Sequence, residues 1–212
     1  MTDLFDIRRE YTQGHLDEKT AADHPLTQFH AWFEEFRATA PLEPTVMVLG
    51  SVDASGQPWQ RIVLLKSYDE QGFVFFTNYE SHKGQQFAAN PKASLLFSWL
   101  GLERQVQVQG TVSRISREES AEYFHSRPLE SQLGAWASRQ SRPLPDRATL
   151  EARFAEVKAE YGDGEIPLPD YWGGYRLTPA RVEFWQGGAA RLHDRVEYSL
   201  TGHSWQKQRL NP

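Results

Sequence analysis

The chain contains no cysteine, which removes disulfides, thiolate metal sites and cysteine nucleophiles from consideration. No apolar run approaches the length of a membrane span, and the opening Met1-Thr2-Asp3-Leu4-Phe5-Asp6 lacks the basic and apolar regions of a signal peptide. The expectation is a cytoplasmic protein with no membrane partner. Positive charge is the scarcer sign: 23 Lys and Arg stand against 28 Asp and Glu, a net charge of −5. Bulk charge therefore suggests no nucleic-acid partner, and any anion site must come from local clustering. Motifs with a fixed mechanical meaning are missing too. There is no Gly-rich dinucleotide fingerprint, no P-loop, no His-Glu-x-x-His and no nucleophile elbow. The seven histidines are scattered, so no metal site is expected.

What the chain does have is length and aromatic rings. Its 212 residues suffice for one large domain or two small ones with a real core. Aromatic content is 13%, with seven Trp, which suits stacking on a flat ligand, although core packing is the commoner use. Asp23 is placed to cap a helix before Pro25, with Leu26, Phe29, Trp32, Phe33 and Phe36 at helical spacing. The period then changes. Residues 45–52 read as a strand, Asp53-Ala54-Ser55-Gly56 as a turn, and 59–66 as the hairpin partner. A turn around residues 69–72 leads to a third strand at 73–77. Ser81 can cap a short helix through Asn90, and strands follow at 93–99 and 103–114. Ser116 opens a helix that Pro128 restarts, and 147–161 is a separate amphipathic helix. Strands at 175–177, 181–185, 195–200 and 205–209 complete the set.

Antiparallel hairpins dominate and helices come late. That pattern argues for a mainly β fold, a small barrel decorated by α-helices, rather than a doubly wound parallel sheet. Residues 1–20 read as a mobile N-terminal segment and 21–212 as a single domain with inserted helices. The expected flexible loop is Ser141-Arg142-Pro143-Leu144-Pro145.

Several basic clusters carry candidate chemistry. If the run Arg191-Leu192-His193-Asp194-Arg195 is extended, Arg191, His193 and Arg195 share one face, just after Trp185 and the Gly187-Gly188 turn. Two guanidiniums flanking an imidazole would suit a phosphorylated or anionic aromatic ligand. A solvated edge strand carrying two arginines accounts for the same residues equally well. In Arg61-Ile62-Val63-Leu64-Leu65-Lys66 the odd spacing of the cations places them on opposite strand faces, able to serve two anions. They also fit a strand that simply leaves the core at each end. Ser81-His82-Lys83-Gly84 at a helix start offers backbone N–H groups plus a cation, or ordinary capping. Tyr123, Arg127 and Ser131 fall one helical turn apart, a hydroxyl–guanidinium–hydroxyl row able to hold a phosphate or to make a surface Tyr/Arg stack.

Read together, these segments resemble the pyridoxamine/pyridoxine 5′-phosphate oxidase family. The likeness runs from Arg8-Arg9-Glu10-Tyr11 to the last residues. It is most specific at Gln60-Arg61-Ile62-Val63-Leu64-Leu65-Lys66, Glu103-Arg104-Gln105-Val106, and Tyr123-Phe124-His125-Ser126-Arg127-Pro128. Ser131-Gln132-Leu133-Gly134-Ala135-Trp136, Trp172-Gly173-Gly174, Glu183-Phe184-Trp185-Gln186-Gly187-Gly188 and the 191–195 run extend it. The resemblance implies a homodimeric FMN-binding split β-barrel with active sites at the subunit interface. It implies oxidation of pyridoxamine or pyridoxine 5′-phosphate to pyridoxal 5′-phosphate, with O₂ as electron acceptor, release of hydrogen peroxide, and ammonia from the amine. FMN would be held by Arg61, Ile62, Val63, Leu64, Leu65, Lys66, Phe76, Thr77, His82, Lys83, Gln105, Gln140, Ser141, Trp185 and Arg195. The substrate would meet Lys66, Tyr123, Arg127 and Ser131 at its phosphate, and Arg191 and His193, the expected catalytic pair, over its ring. Arg8 and Tyr11 would close over the site from the N-terminal segment.

The sequence departs from the family pattern twice, with Phe76 in place of Tyr and His82 in place of Arg. The second change removes a permanent charge from the expected FMN phosphate seat. Two rival readings stay open on sequence: a split-barrel flavin reductase that uses a nicotinamide, and a non-catalytic carrier of FMN or pyridoxal phosphate.

Overall fold

A computed structural model describes residues 3–162 and 164–212; the first two residues of the expected mobile segment lie outside it. Helix α1 (Pro25–Ala38) opens the ordered core. Its cap is His24, whose Nδ1 accepts the Leu26 N–H at 3.3 Å, and not the expected Asp23. The imidazole nitrogen does the work of a capping oxygen because proline at the first helical position removes one unpaired donor. Phe29, Trp32 and Phe33 then face inward, and Phe29 meets Phe73 and Phe97 at ring-centroid distances of 4.9 Å each. Burial of a ring such as Phe29 contributes about 3 kcal/mol.

Among the described residues nine antiparallel strands follow: β1 (Val46–Val52), β2 (Pro58–Leu64), β3 (Ser67–Asp69), β4 (Gly72–Asn78), β5 (Lys92–Trp99), β6 (Arg104–Arg114), β7 (Trp172–Gln186), β8 (Asp194–Thr201) and β9 (Ser204–Leu210). Their order is β2-β1-β5-β6-β7-β4-β3, with β8 and β9 branching from β7. Strand β7 is therefore where the barrel splits. Its first half pairs with β4, its second half with β8, and residues 175–186 with β6. The two short strands expected at 175–177 and 181–185 are parts of this one strand. They are joined through a bulge at Pro179-Ala180 opposite Gly110, where a Cβ would lie 2.0 Å from the Thr178 carbonyl oxygen. Only glycine fits there.

The helices pack around the sheet. Besides α1 they are α2 (His82–Ala89), α3 (Arg117–Ser126), α4 (Leu129–Ala137) and α5 (Arg147–Tyr161). Ser81 caps α2, Ser116 and Glu119 form a capping box on α3, and Asp146 caps α5. Phe124, Leu133, Ile166 and Trp172 make a second, smaller core beneath α3 and α4. The result is the expected split barrel with helices. Among the described residues no helix is long and apolar enough to cross a membrane.

Candidate active site

Strand β2 is an edge strand, paired only with β1, so its outer edge presents unpaired backbone groups. Beside that edge lies a cavity of about 710 Å³ between β2, β4, α2, α3 and α4. Arg61, Ile62, Val63, Leu64 and Lys66 line one wall, and Phe76 and Thr77 the floor. Lys83, Tyr123, Arg127, Ser131 and Gln140 complete it. Three positions expected beside these residues, Leu65, His82 and Ser141, do not line the cavity. Leu65 is 3% exposed and packs in the core. His82 is exposed and meets the Trp59 ring edge-on at 5.9 Å. Ser141 is exposed, with φ of 69°.

Arg61 and Lys66 line the same cavity, not two faces of one strand. Strand β2 ends at Leu64, and the chain there switches partners, so that the Lys66 N–H donates to the Val74 carbonyl at 2.9 Å. Strict alternation stops where the ladder stops. Nor do Tyr123, Arg127 and Ser131 lie on successive turns of one helix. Helix α3 ends at Ser126, Arg127 caps it, and Pro128 starts α4. The break brings the Arg127 guanidinium 2.8 Å from the Ser131 carbonyl oxygen and 4.7 Å from the Trp172 ring centre.

The electrostatics of this cavity are one-sided. Arg61 donates to Ser51 Oγ, Gln86 Oε1 and the Leu49 carbonyl. Lys83 Nζ lies 3.1 Å from Thr77 Oγ1 and 3.2 Å from Gln140 Oε1. All of these partners are neutral. Burial, with the Arg61 charge adding to it, holds the Lys83 ammonium down at about 8. Burial also lowers Arg61 and Arg127 from their ordinary range, and Arg127 Nη1 is buried without any hydrogen-bond partner. Desolvated cations and an orphaned donor around one open space call for an anion. Gly84 lets the start of α2 pack on the chain just before it, since a Cβ there would meet the Tyr79 carbonyl oxygen at 2.0 Å.

The remaining expected residues other than Arg8 gather away from the residues that line this cavity. The 191–195 run is not extended throughout: Ala189–Arg191 form a 3-10 turn, Ala190 and Arg191 have φ of 52° and 65°, and β8 starts only at Asp194. Arg191 and His193 therefore do not alternate along a strand with Arg195. They converge instead on Tyr11, whose ring lies 5.6 Å from the His193 ring and 5.8 Å from the Arg191 guanidinium. Trp185 packs 4.6 Å from His193 and 5.8 Å from Tyr11. Gly188 N–H donates to His193 Nδ1 at 3.1 Å, so the neutral ring carries its proton on Nε2. Arg195 is held by Glu183 at 2.8 Å, which raises it above its ordinary value. Gln105 pairs with Trp185 across the β6–β7 ladder, and Arg8 reaches only the Phe5 carbonyl. Glu103 and Glu183, both buried carboxylates, were not anticipated from sequence, because nothing in a strand-like run marks which acid will be covered.

The arrangement defines a class: an antiparallel split barrel with a cationic, aromatic-lined cavity and a second polar-aromatic cluster elsewhere on the same chain. The family pattern described as pyridoxamine 5′-phosphate oxidase matches residues 33–161, and that described as the pyridoxine 5′-phosphate oxidase C-terminal dimerisation region matches 172–212. The chain belongs to the pyridoxine/pyridoxamine 5′-phosphate oxidase family. It is 56% identical to the pyridoxine/pyridoxamine 5′-phosphate oxidase of Ralstonia pickettii over the full length of both chains. It is 55% identical to that of Bordetella pertussis over 99% of each. Among solved structures, PhzG from Burkholderia lata, crystallised with tetrahydrophenazine-1-carboxylic acid, superposes with a TM-score of 0.87 at 28% identity, covering 92% of this chain and 96% of that one. The dimerisation region implies a homodimer.

Proposed function

We propose that the protein is an FMN-dependent oxidase that converts pyridoxamine 5′-phosphate and pyridoxine 5′-phosphate to pyridoxal 5′-phosphate, with O₂ as acceptor. The observation that carries this reading is the cavity's set of cations without carboxylate partners, Arg61, Lys66, Lys83 and Arg127. They fall into two groups, which suits two phosphates. Arg61 and Lys83, with Thr77, Gln140 and the start of α2, fit the phosphate of FMN, while His82 and Ser141 flank that seat. The free edge of β2 from Arg61 to Leu64 fits the polar rim of the flavin ring, and Phe76 stacks beneath on Tyr123 at 4.0 Å. Lys66, Tyr123, Arg127 and Ser131 fit the phosphate of the substrate. Bound FMN would supply the two-electron acceptor and the route to O₂ and hydrogen peroxide.

The chain's own residues position and polarise. A homodimer would bring the second subunit's Trp185 cluster to the mouth of this cavity, with Gln105 and Arg195 added to the flavin contacts. Arg191 then pins the pyridine ring and stabilises charge developing on it. His193, with Nδ1 engaged by Gly188, offers Nε2–H as a hydrogen-bond donor to orient the C4′ substituent. Arg8 and Tyr11 cover the ring from the N-terminal segment, and 21–212 act as one domain.

The test is hydrogen peroxide release from the FMN-loaded protein given pyridoxamine 5′-phosphate in air, with aldehyde absorbance followed in parallel. Matched peroxide and aldehyde are expected. Flavin bleaching by a nicotinamide without aldehyde would instead support a reductase, and tight binding with no product a carrier.

A further inference from the structure

Glu103 stands at the β5–β6 corner under two burdens. Its φ is 56°, in the left-handed region that favours glycine, and it is 4% exposed. A buried carboxylate is costly unless donors surround it. Its donors all come from one place, the N-terminal segment: Thr12 N–H at 2.7 Å and Gln13 N–H at 3.0 Å on Oε2, and the Arg9 guanidinium at 3.1 Å on Oε1. The same residue's carbonyl accepts the Gly187 N–H at 2.8 Å, at the end of the strand that carries Trp185. Gly187 permits the fit, because a Cβ there would lie 2.9 Å from Tyr11 Cβ and 3.0 Å from Glu103 Cβ.

We infer that Glu103 is a positioning residue for the substrate half of the site. Its side chain clasps residues 9–13 while its backbone holds the Trp185 strand end, and so fixes Tyr11 between Trp185, His193 and Arg191. The inference rests on the oxidase reading above for the role of Tyr11, but the clasp itself can be measured without it. Loss of the carboxylate leaves two backbone donors and an arginine without their acceptor, and frees Tyr11.

Glu103→Gly is the informative variant, because glycine relieves the positive φ while deleting the clasp. A residue needed only for its turn is unharmed or improved by that change. In the FMN-loaded full-length protein, KM for pyridoxamine 5′-phosphate is expected to rise about tenfold, with FMN affinity unchanged within about twofold. Amide exchange at Thr12 and Gln13 is expected to speed up by about tenfold or more. Glu103→Gly combined with Tyr11→Ala is expected to be no worse than Tyr11→Ala alone, and Glu103→Gln to recover part of the KM. An unchanged KM, or losses that add in the double variant, would overturn the positioning role. Unchanged exchange at Thr12 and Gln13 would sink the clasp whatever the activity. Wild-type protein that oxidises neither substrate would remove the oxidase reading instead, with the exchange result left to decide on the clasp.

Discussion

The two site regions treat positive charge in opposite ways. Around the cavity, Arg61, Lys83 and Arg127 are desolvated and meet only neutral oxygens. Around the Trp185 cluster, cations are matched: Arg9 with Glu103 at 3.1 Å, Arg195 with Glu183 at 2.8 Å, Arg209 with Asp194 at 2.6 Å, and Arg181 with Glu197. Among the described residues, the exposed Arg191 and Arg8, which reaches the Phe5 carbonyl, are the exceptions. A matched cation is spoken for and serves to fix geometry. An unmatched buried one raises the energy of the empty site and lowers it again when an anion arrives. The contrast separates cations left free for a ligand from cations whose geometry an acid fixes.

The sharpest way to break this contrast is Arg127→Met against Arg195→Met. Arg127→Met is expected to lower kcat/KM for the phosphorylated substrate by roughly several hundredfold while leaving the ligand-free melting temperature unchanged or higher. Arg195→Met leaves Glu183 short of a partner and is expected to lower that temperature. Calorimetry beside steady-state kinetics reads both, and equal destabilisation by the two would abolish the distinction. Next in size, Arg191→Ala is expected to cut kcat by about a hundredfold with flavin content retained, the reverse of Lys83→Ala. Flavin absorbance and turnover on the same samples check it, and parallel losses in both variants would refute the division of roles.

A smaller effect follows from Lys83. Its value of about 8 in the ligand-free chain rises when an anion sits beside it, so binding takes up a proton above that pH. FMN affinity is then insensitive to this group below about pH 8, and Kd climbs by up to about tenfold per pH unit between the free and bound values. Fluorescence titration of FMN across that range reads the slope, and Lys83→Arg should flatten it. Smallest is His82→Arg. A permanent charge at the exposed first residue of α2 is expected to tighten FMN by about fivefold, falling with added salt. No change would place His82 outside the phosphate's reach.

How much of this was legible beforehand depended on range. Hydrophobic period and capping residues located nearly every element, down to α5 at 147–161, because those signals act within a few residues. The errors came where a competing local contact or a distant partner decided. His24 displaced Asp23 as a cap, β7 stayed continuous through Pro179 because a bulge at Ala180 keeps it on the β6 ladder, and the 189–191 turn bent what periodicity read as strand. In the site, the cations and aromatics were recognisable by type and spacing. Their grouping was not, since Lys66 reaches the Arg61 cavity only after the chain changes ladders, and Arg127 reaches Ser131 only across a helix break.

Local sequence by itself determined a mainly antiparallel chain with late helices, anion-seeking residues in short runs, and the family to which they belong. Only the tertiary structure decided which charges lack a partner, because pairing and desolvation are properties of neighbours brought from far along the chain. That is why Glu103, ninety residues from the amide of Gln13 that it holds, could be seen as an acid in the sequence and as a clasp only in the fold.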